Sequence, residues 1–148
     1  MKRLLCLAFA ALVLAACGGA DGRLSKSQYE AKLQSAFSAA SAELDDKPRV
    51  PGSVGSLMRI EKSYDDVAVA LKGLKVPTSV QALNDRLAAA AAKRAAGLKA
   101  LAQKLEAASP TDRKRLLAEY DPSTHDGFDS VVQTLESRGY RLSSSGGT

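Results

Sequence analysis

The regular spacing of apolar residues in the middle of the chain most limits how it can fold. They recur at alternating intervals of three and four, at Leu57, Ile60, Tyr64, Val67, Leu71 and Leu74. This spacing places them on one face of an α-helix. The stretch is shorter than about three heptads, too short for an independent coiled coil. It therefore predicts a helix that packs inside a bundle and stops at Val76-Pro77.

The segment that follows predicts the longest helix of the chain. Thr78-Ser79-Val80-Gln81 fits a capping box, and the helical pattern then runs to about Ala108. Its larger apolar residues share one side: Val80, Leu83, Leu87, Leu98, Leu101 and Leu105. Alanines at 88–92 lie between the leucines and allow close helix approach, which argues against a large cavity there. Gly97 predicts a close contact or a bend.

Further helices are expected on both sides of this central pair. Ser27-Gln28-Tyr29-Glu30 fits a capping box, so a first helix should begin at Ser25 or Ser27 and end near Asp45-Asp46. Ser109-Pro110-Thr111-Asp112 predicts a short helix that ends near Tyr120. A last helix is expected over residues 123–138. In the short helix, Leu116, Leu117 and Tyr120 are predicted to face the core. After the last helix, Gly139 is predicted to be a left-handed C-cap, with Tyr140 folded back onto the last turn.

These patterns define one helical domain. Because no strand-like alternation occurs between residues 24 and 142, we predict an all-α fold over residues 25–142. The expected arrangement is an antiparallel bundle of three long helices plus a split C-terminal fourth. Residues 143–148 contain no apolar side chain and are predicted to be disordered.

The N-terminus has the layout of a secretory signal peptide. Lys2 and Arg3 precede an apolar run at residues 4–14, which is too short to span a bilayer. Leu14-Ala15-Ala16-Cys17 resembles the lipobox of bacterial lipoproteins. The alternative is an ordinary signal peptide that releases a secreted protein.

The lipobox resemblance implies a location. Residues 1–16 would be removed, the Cys17 sulfur would carry a diacylglyceryl group, and acyl chains such as palmitate would anchor the protein in the cell membrane. Residues 17–24 would form a flexible tether on the extracytoplasmic face. Gly18 stands where an inner-membrane retention signal would have Asp, so plasma or outer membrane depends on the host. Cys6 would leave with the signal peptide, so no disulfide is expected.

A second resemblance covers much of the chain. Leu24-Ser25-Lys26-Ser27-Gln28-Tyr29 and Leu74-Lys75-Val76-Pro77 are similar to segments of small helical lipoproteins of actinobacterial type. This resemblance implies a helical bundle in the cell envelope and brings no known activity. Such lipoproteins often have a cysteine in the first helix. This chain has none there, so a disulfide found in them would not carry over.

Arg94 is the candidate ligand-binding residue, because it lies within the apolar arc of the long helix. It could bind an anionic headgroup or a partner's carboxylate. We favour a structural interpretation, in which its stem packs on the core and its guanidinium reaches solvent or pairs with a carboxylate of the preceding helix. The candidate carboxylates are Glu61, Asp65 and Asp66. The basic run Arg113-Lys114-Arg115 could touch lipid headgroups, although a solvated helix face is the simpler interpretation.

The remaining residues do not indicate catalysis. His125 is the one histidine and has neither a second histidine nor a spare cysteine beside it, so we expect it to be exposed and no metal to bind. The neighbouring carboxylates Asp45-Asp46 and Asp65-Asp66 point about 100° apart on a helix and form no acid–base dyad. We predict no enzyme activity, no catalytic residue and no cofactor.

Charge also narrows the partners. Without Lys2 and Arg3, the 21 basic residues become 19 against 16 acidic ones, a formal charge of +3. With few aromatic residues and no tryptophan, this balance excludes nucleic acid as an expected partner.

Two functions remain as hypotheses. The first is a tethered, non-enzymatic interaction module that contacts another envelope protein or wall component through an exposed apolar groove. The alternative is a bundle that binds a lipid or another apolar ligand. It requires an internal pocket of roughly 300 Å³ or more, lined by Tyr64, Leu87 and Arg94.

Overall fold

The computed structural model describes residues 22–45, 53–121 and 127–142. Within these ranges the chain is helical and has no strand, which confirms the all-α prediction. The elements are α1 (Lys26–Asp45), α2 (Val54–Leu71), a 3₁₀ turn (Thr78–Val80), α3 (Gln81–Ala107), α4 (Pro110–Glu119) and α5 (Phe128–Ser137). The predicted signal peptide, the predicted lipidation site Cys17, His125 and the predicted tail at 143–148 lie outside the described residues.

The first helix starts at the earlier of the two predicted positions. The Ser25 hydroxyl accepts a hydrogen bond from the Gln28 amide at 3.2 Å, and the Gln28 side-chain oxygen accepts one from the Ser25 amide at 2.8 Å. This reciprocal pair is a capping box two residues before the one predicted at Ser27. The helix runs to Asp45, the last described residue before the gap at residues 46–52.

The connection between α2 and α3 differs from the prediction. Helix α2 ends at Leu71, because Gly73 takes a left-handed conformation at φ 81° and turns the chain. Leu74 therefore lies beyond the helix, although it still packs half-buried against the core. The capping box predicted at Thr78 is wrong. No side chain caps α3, and the chain enters it through a 3₁₀ turn in which the Val80 amide donates to the Pro77 carbonyl at 3.0 Å.

Helix α4 starts as predicted but buries little. The Ser109 hydroxyl accepts a hydrogen bond from the Asp112 amide at 3.2 Å, and Pro110 occupies the first turn. Hydrogen bonds from the Ser109 hydroxyl and from Arg115 lower the pKa of Asp112 below its usual range. No side chain of α4 is buried; Leu116 and Leu117 are half-buried. A Cβ at Gly97 would lie 3.2 Å from the Tyr120 hydroxyl, so the predicted close contact at this glycine is confirmed.

The last helix is shorter than predicted. It begins at Phe128, because Gly127 at φ 73° interrupts the helix expected from Ser123 to Arg138. Its end follows the prediction, since Gly139 has φ 74° and donates from its amide to the Glu136 carbonyl at 2.8 Å. The Tyr140 amide donates to the Leu135 carbonyl at 3.1 Å, which completes a Schellman motif.

Helices α2 and α3 form the most extensive contact among the described elements, and the other helices pack on this pair. The larger core cluster draws on α1, α2, α3 and α5, and it includes Tyr29, Leu33, Leu71, Leu87 and Leu135. A smaller cluster joins the other end of the pair to α4 and includes Leu57, Leu98, Leu101 and Leu105. We call the side of the α2–α3 pair that packs under α1 and α5 the covered face.

Candidate functional site

Arg94, the residue singled out from the sequence, lies in the covered face with its partners in place. Its side chain is 6% exposed. The guanidinium donates to the Asp129 carboxylate at 3.0 and 3.3 Å and to the Tyr64 hydroxyl at 3.1 Å. It also lies over the rings of Tyr64 and Phe128, 5.1 and 4.8 Å from their centroids. Arg94 thus connects α2, α3 and α5.

Arg94 pairs with a carboxylate, as one of the structural interpretations expected, but the predicted partner residues were wrong. The partner comes from the first turn of α5 and not from α2. On α2, Asp65 faces the opposite side of the helix pair, and Asp66 pairs with Lys62 one turn earlier. Asp65 and Asp66 are therefore placed or paired elsewhere, and the carboxylate that bonds Arg94 is that of Asp129.

These contacts also bear on the pocket required by the ligand-binding hypothesis. The rings of Tyr64 and Phe128 meet edge to face at 5.3 Å beside the guanidinium. Leu87 is fully buried in the core cluster. On the sides formed by α2 and α5, described side chains of the protein pack against Arg94, and its guanidinium joins these helices.

A second polar pair in the covered face was not predicted. The Tyr29 hydroxyl donates to the Asn84 side-chain oxygen at 3.1 Å, and the Asn84 amide donates to the Leu71 carbonyl at 3.1 Å. Leu71 is the last residue of α2, and its carbonyl accepts both this Asn84 hydrogen bond and one from the Leu74 amide at 3.3 Å. Burial is the main reason that the pKa of Tyr29 is raised above its usual value. The sequence signal for this pair was Asn84 itself, a polar residue that directly follows Leu83 of the apolar arc.

The other side of the helix pair carries an open groove of about 420 Å³. Its lining comes from both helices: Asp65, Ala68, Val69, Lys72, Gly73, Asp85, Ala88, Ala89 and Ala92. We call this surface the open groove. Most of the lining is alanine or valine, and Val69 is 67% exposed. Asp65 and Asp85 add negative charge, and Lys72 adds one positive charge.

The open groove corrects one expectation about the alanine segment. Ala90 and Ala91 are buried as expected, but Ala89 and Ala92 are exposed and face the groove. The prediction of a closely packed neighbour with no large space beside this segment is therefore wrong on the groove side. No described helix covers it. The arrangement provides a shallow apolar surface framed by charges, which is the feature expected of an interaction module.

The remaining candidate residues make local contacts. The Arg113 guanidinium donates to the Leu105 carbonyl at 2.8 Å, and so helps to cap the end of α3. Arg115 pairs with Asp112 and Glu119 on its own helix, and Lys114 is exposed. Within residues 22–45, 53–121 and 127–142, no group of three or more His, Cys, Asp or Glu residues could hold a metal ion.

The comparisons with known proteins give no match. No protein-family model, curated protein or solved structure matches the chain. In the described part of the chain, no helix is both long and apolar enough to cross a membrane.

Proposed function

We propose that this chain is a bacterial lipoprotein, anchored through acylated Cys17 on the extracytoplasmic face of the cell membrane, that acts as a non-enzymatic interaction module. Whether this is the plasma or the outer membrane depends on the host. The anchor is supported by the lipobox Leu14-Ala15-Ala16-Cys17 after a short apolar run. The observation that carries the interaction role is the open groove between α2 and α3.

The helices are proposed to form an antiparallel bundle. Support comes from the order of the contacts between α2 and α3. Residues farther back along α2 contact residues farther forward along α3, as antiparallel neighbours do. Leu71 contacts Asn84 near the connection, and Tyr64 contacts Arg94 farther along. Helices α1 and α5 then add to the covered face, with α4 and α5 as the two parts of a split fourth helix.

The partner is proposed to be a helix of another envelope protein. The small side chains that α2 and α3 contribute to the open groove let the backbone of a third helix approach closely, as ridges-into-grooves packing requires. Val69, which is 67% exposed, would be covered by such a helix. Asp65 and Asp85 on the rim favour a partner helix whose apolar stripe is flanked by Lys or Arg.

The alternative function, a bundle that carries a lipid or another apolar ligand between its helices, has less support. It assigns Arg94 to the headgroup of the ligand. That guanidinium is instead engaged by Asp129, Tyr64 and Phe128. A ligand would have to displace a charge-assisted hydrogen bond and two ring contacts before it could bind there.

Crosslinking in intact cells tests the proposal. A photoreactive amino acid in place of Val69 should give a discrete protein adduct in the membrane fraction. Ala89→Glu puts bulk and negative charge into the open groove and should lower the adduct about tenfold, the result of losing about 1.4 kcal/mol of binding. Ala100→Glu is the matched control, since Ala100 is also exposed on α3 but does not line the groove.

The same cells test the anchor. Cys17→Ala should remove the acyl chains and release the protein from the membrane fraction. An adduct that is unchanged by Ala89→Glu would contradict the groove assignment. A lipid-sized mass that co-purifies with the protein in native mass spectrometry would favour the ligand-binding alternative. If Cys17→Ala remained in the membrane fraction, the proposed lipid anchor at Cys17 would be contradicted.

A further inference from the structure

We propose that one end of the helical domain rests on an anionic lipid surface. We call this the tether end, and it carries six basic side chains: Arg23, Lys26, Lys72, Lys75, Arg138 and Arg141. The inference rests on the proposed lipid anchor and deepens it, because it states which part of the protein faces the bilayer and which lipid chemistry that part recognises.

Contacts between distant segments bring these residues to the same end. The Leu24 amide donates to the Lys75 carbonyl at 2.7 Å, and Arg23 donates to the Val76 carbonyl at 2.9 Å. These bonds tie the start of the described chain to the α2–α3 connection.

The end of α5 arrives at the same place. The Arg138 guanidinium donates to the Ser79 carbonyl at 3.2 Å, beside the start of α3. The Lys26 ammonium lies 5.0 Å from the centroid of the Tyr140 ring. The start of α1, the α2–α3 connection and the segment after α5 therefore form one surface.

The length of the chain before Arg23 keeps this surface near the bilayer. Residues 17–24 were predicted to form the tether, but Arg23 and Leu24 are already bonded to the domain. The six residue steps from Cys17 to Arg23 span at most about 20 Å when fully extended. Helix α3 has 27 residues and is about 40 Å long, so its far end and α4 lie well beyond that reach.

The charges at the tether end suit an anionic surface. Within the described part of the chain, none of the six basic side chains forms an ion pair with a carboxylate. At the far end Arg115 is paired with two carboxylates of its own helix, while Lys99, Lys104 and Lys114 form no ion pair within the described residues either. What distinguishes the tether end is therefore the number of basic side chains that lie within reach of the anchor. The attraction of Lys and Arg to acidic headgroups acts within roughly one Debye length, about 10 Å, which the short tether allows.

Nearby acidic residues only partly offset this charge. Glu30 accepts the Arg141 amide, and Asp85 accepts the side-chain amide of Gln81. Asp65, which lines the open groove with Lys72, and Glu136, near the end of α5, are further carboxylates in the region. A shallow depression of about 420 Å³, lined by Arg23, Gly73, Leu74, Lys75 and Gln81, provides space for a headgroup phosphate between two cations.

Lysine footprinting of the intact lipidated protein tests the orientation. The protein is reconstituted in phosphatidylcholine vesicles with or without roughly 30% phosphatidylglycerol, and acylation of each lysine is read by mass spectrometry. Labelling at Lys26, Lys72 and Lys75 should fall about threefold or more with the anionic lipid, and about 1 M salt should restore it. Lysines at the far end are the internal controls and should not change: Lys99, Lys104 and Lys114.

Charge variants sharpen the test. Lys72→Gln with Lys75→Gln should reduce the protection of Lys26 by anionic lipid, whereas Lys99→Gln with Lys104→Gln should leave it unchanged. All four side chains are exposed, so both variants should fold. Equal labelling of both ends in the two vesicle types would overturn the inference, as would protection of the far end.

Failure of the anchor gives a different result from failure of this inference. If Cys17 is not acylated, the mass of the N-terminal peptide shows it and the protein does not float with zwitterionic vesicles. If the protein floats with both vesicle types but shows the same footprint in each, the anchor stands and the proposed lipid contact is wrong.

Discussion

The two sides of the α2–α3 pair use the same helices for opposite purposes. The covered face buries the polar side chains of Asn84 and Arg94, and each has protein partners. The open groove contains exposed alanines and Val69, which is 67% exposed. The residue that looked most functional in the sequence is therefore structural, and the residues that looked like simple helix formers line the candidate binding surface.

The size of the side chains explains why one side can stay open. Burial of apolar surface stabilises by roughly 25 cal/mol per Å², so a leucine left in water loses much more than an alanine does. Leu71 and Leu87 are fully buried in the covered face, whereas Ala89 and Ala92 remain exposed at small cost. An alanine surface can thus be held available for a partner without a large loss of stability.

Truncation of a core leucine should give the largest difference between the two faces. Leu87 is fully buried in the core, so Leu87→Ala should lower the free energy of unfolding by about 3–5 kcal/mol. Urea denaturation measures this loss. Ala89→Glu, two residues away on the groove side, should change it by less than about 0.5 kcal/mol. Similar losses for both variants would show that the groove is packed against something in solution.

Removal of the Arg94 partner should have the next largest effect. Asp129→Ala removes the carboxylate that accepts two hydrogen bonds from the buried Arg94 guanidinium, while the contacts of Arg94 with Tyr64 and Phe128 are kept. We expect a loss of about 2 kcal/mol, below the usual cost of breaking a buried pair because Asp129 is itself 54% exposed. Thermal or urea unfolding of the variant checks this value.

Two further variants decide what this loss means. Asp112→Ala is the control, because it also removes an acid from the first turn of a helix but its cation partner, Arg115, is exposed. It should lower the free energy of unfolding by less than Asp129→Ala does. Adding Arg94→Met to Asp129→Ala should recover part of the stability, since the guanidinium that has lost the Asp129 carboxylate is then replaced by an apolar side chain. A double variant less stable than Asp129→Ala alone would mean that the Arg94 stem contributes more through packing than its charge costs.

Most of the helical architecture could be predicted because it depends on local pattern. The apolar spacing along α2 and the stop–start signal at Ser109-Pro110 placed these helices correctly. The errors lie at helix ends where two neighbouring solutions compete. Ser25 and Ser27 could both cap α1, and Gly73 ends α2 before the proline that the sequence suggested.

The site was harder to predict because it depends on which helix covers which face. The apolar arc placed Arg94 in the core, but its partner Asp129 arrives from α5 and lies 35 residues away in sequence. The alanines were visible as small residues. Their exposure follows from α1 and α5 packing on the other side of the pair, which no local pattern specifies.

The Tyr29–Asn84 pair gives the smallest effect and the one with a pH signature. Tyr29→Phe leaves the Asn84 oxygen without this buried donor, so we expect a loss of about 1–2 kcal/mol at neutral pH. Because burial raises the pKa of Tyr29, the folded chain keeps its proton to higher pH than the unfolded chain. This contribution is fully present below pH ~10, the ordinary tyrosine pKa, and is lost as the pH rises above it.

The comparison of unfolding curves between about pH 8 and pH 11 isolates this contribution. The stability of the wild type should fall above pH ~10 by up to about 1.4 kcal/mol per pH unit more than that of Tyr29→Phe, so the gap between them narrows. Tyr120→Phe serves as the control, because it changes a half-buried tyrosine and keeps Tyr29. Its curve should retain the wild-type slope. If Tyr29→Phe retained that slope as well, the hydroxyl would be ionising as it does in water, and the buried pair could not be one of the contacts that hold α1 onto the covered face.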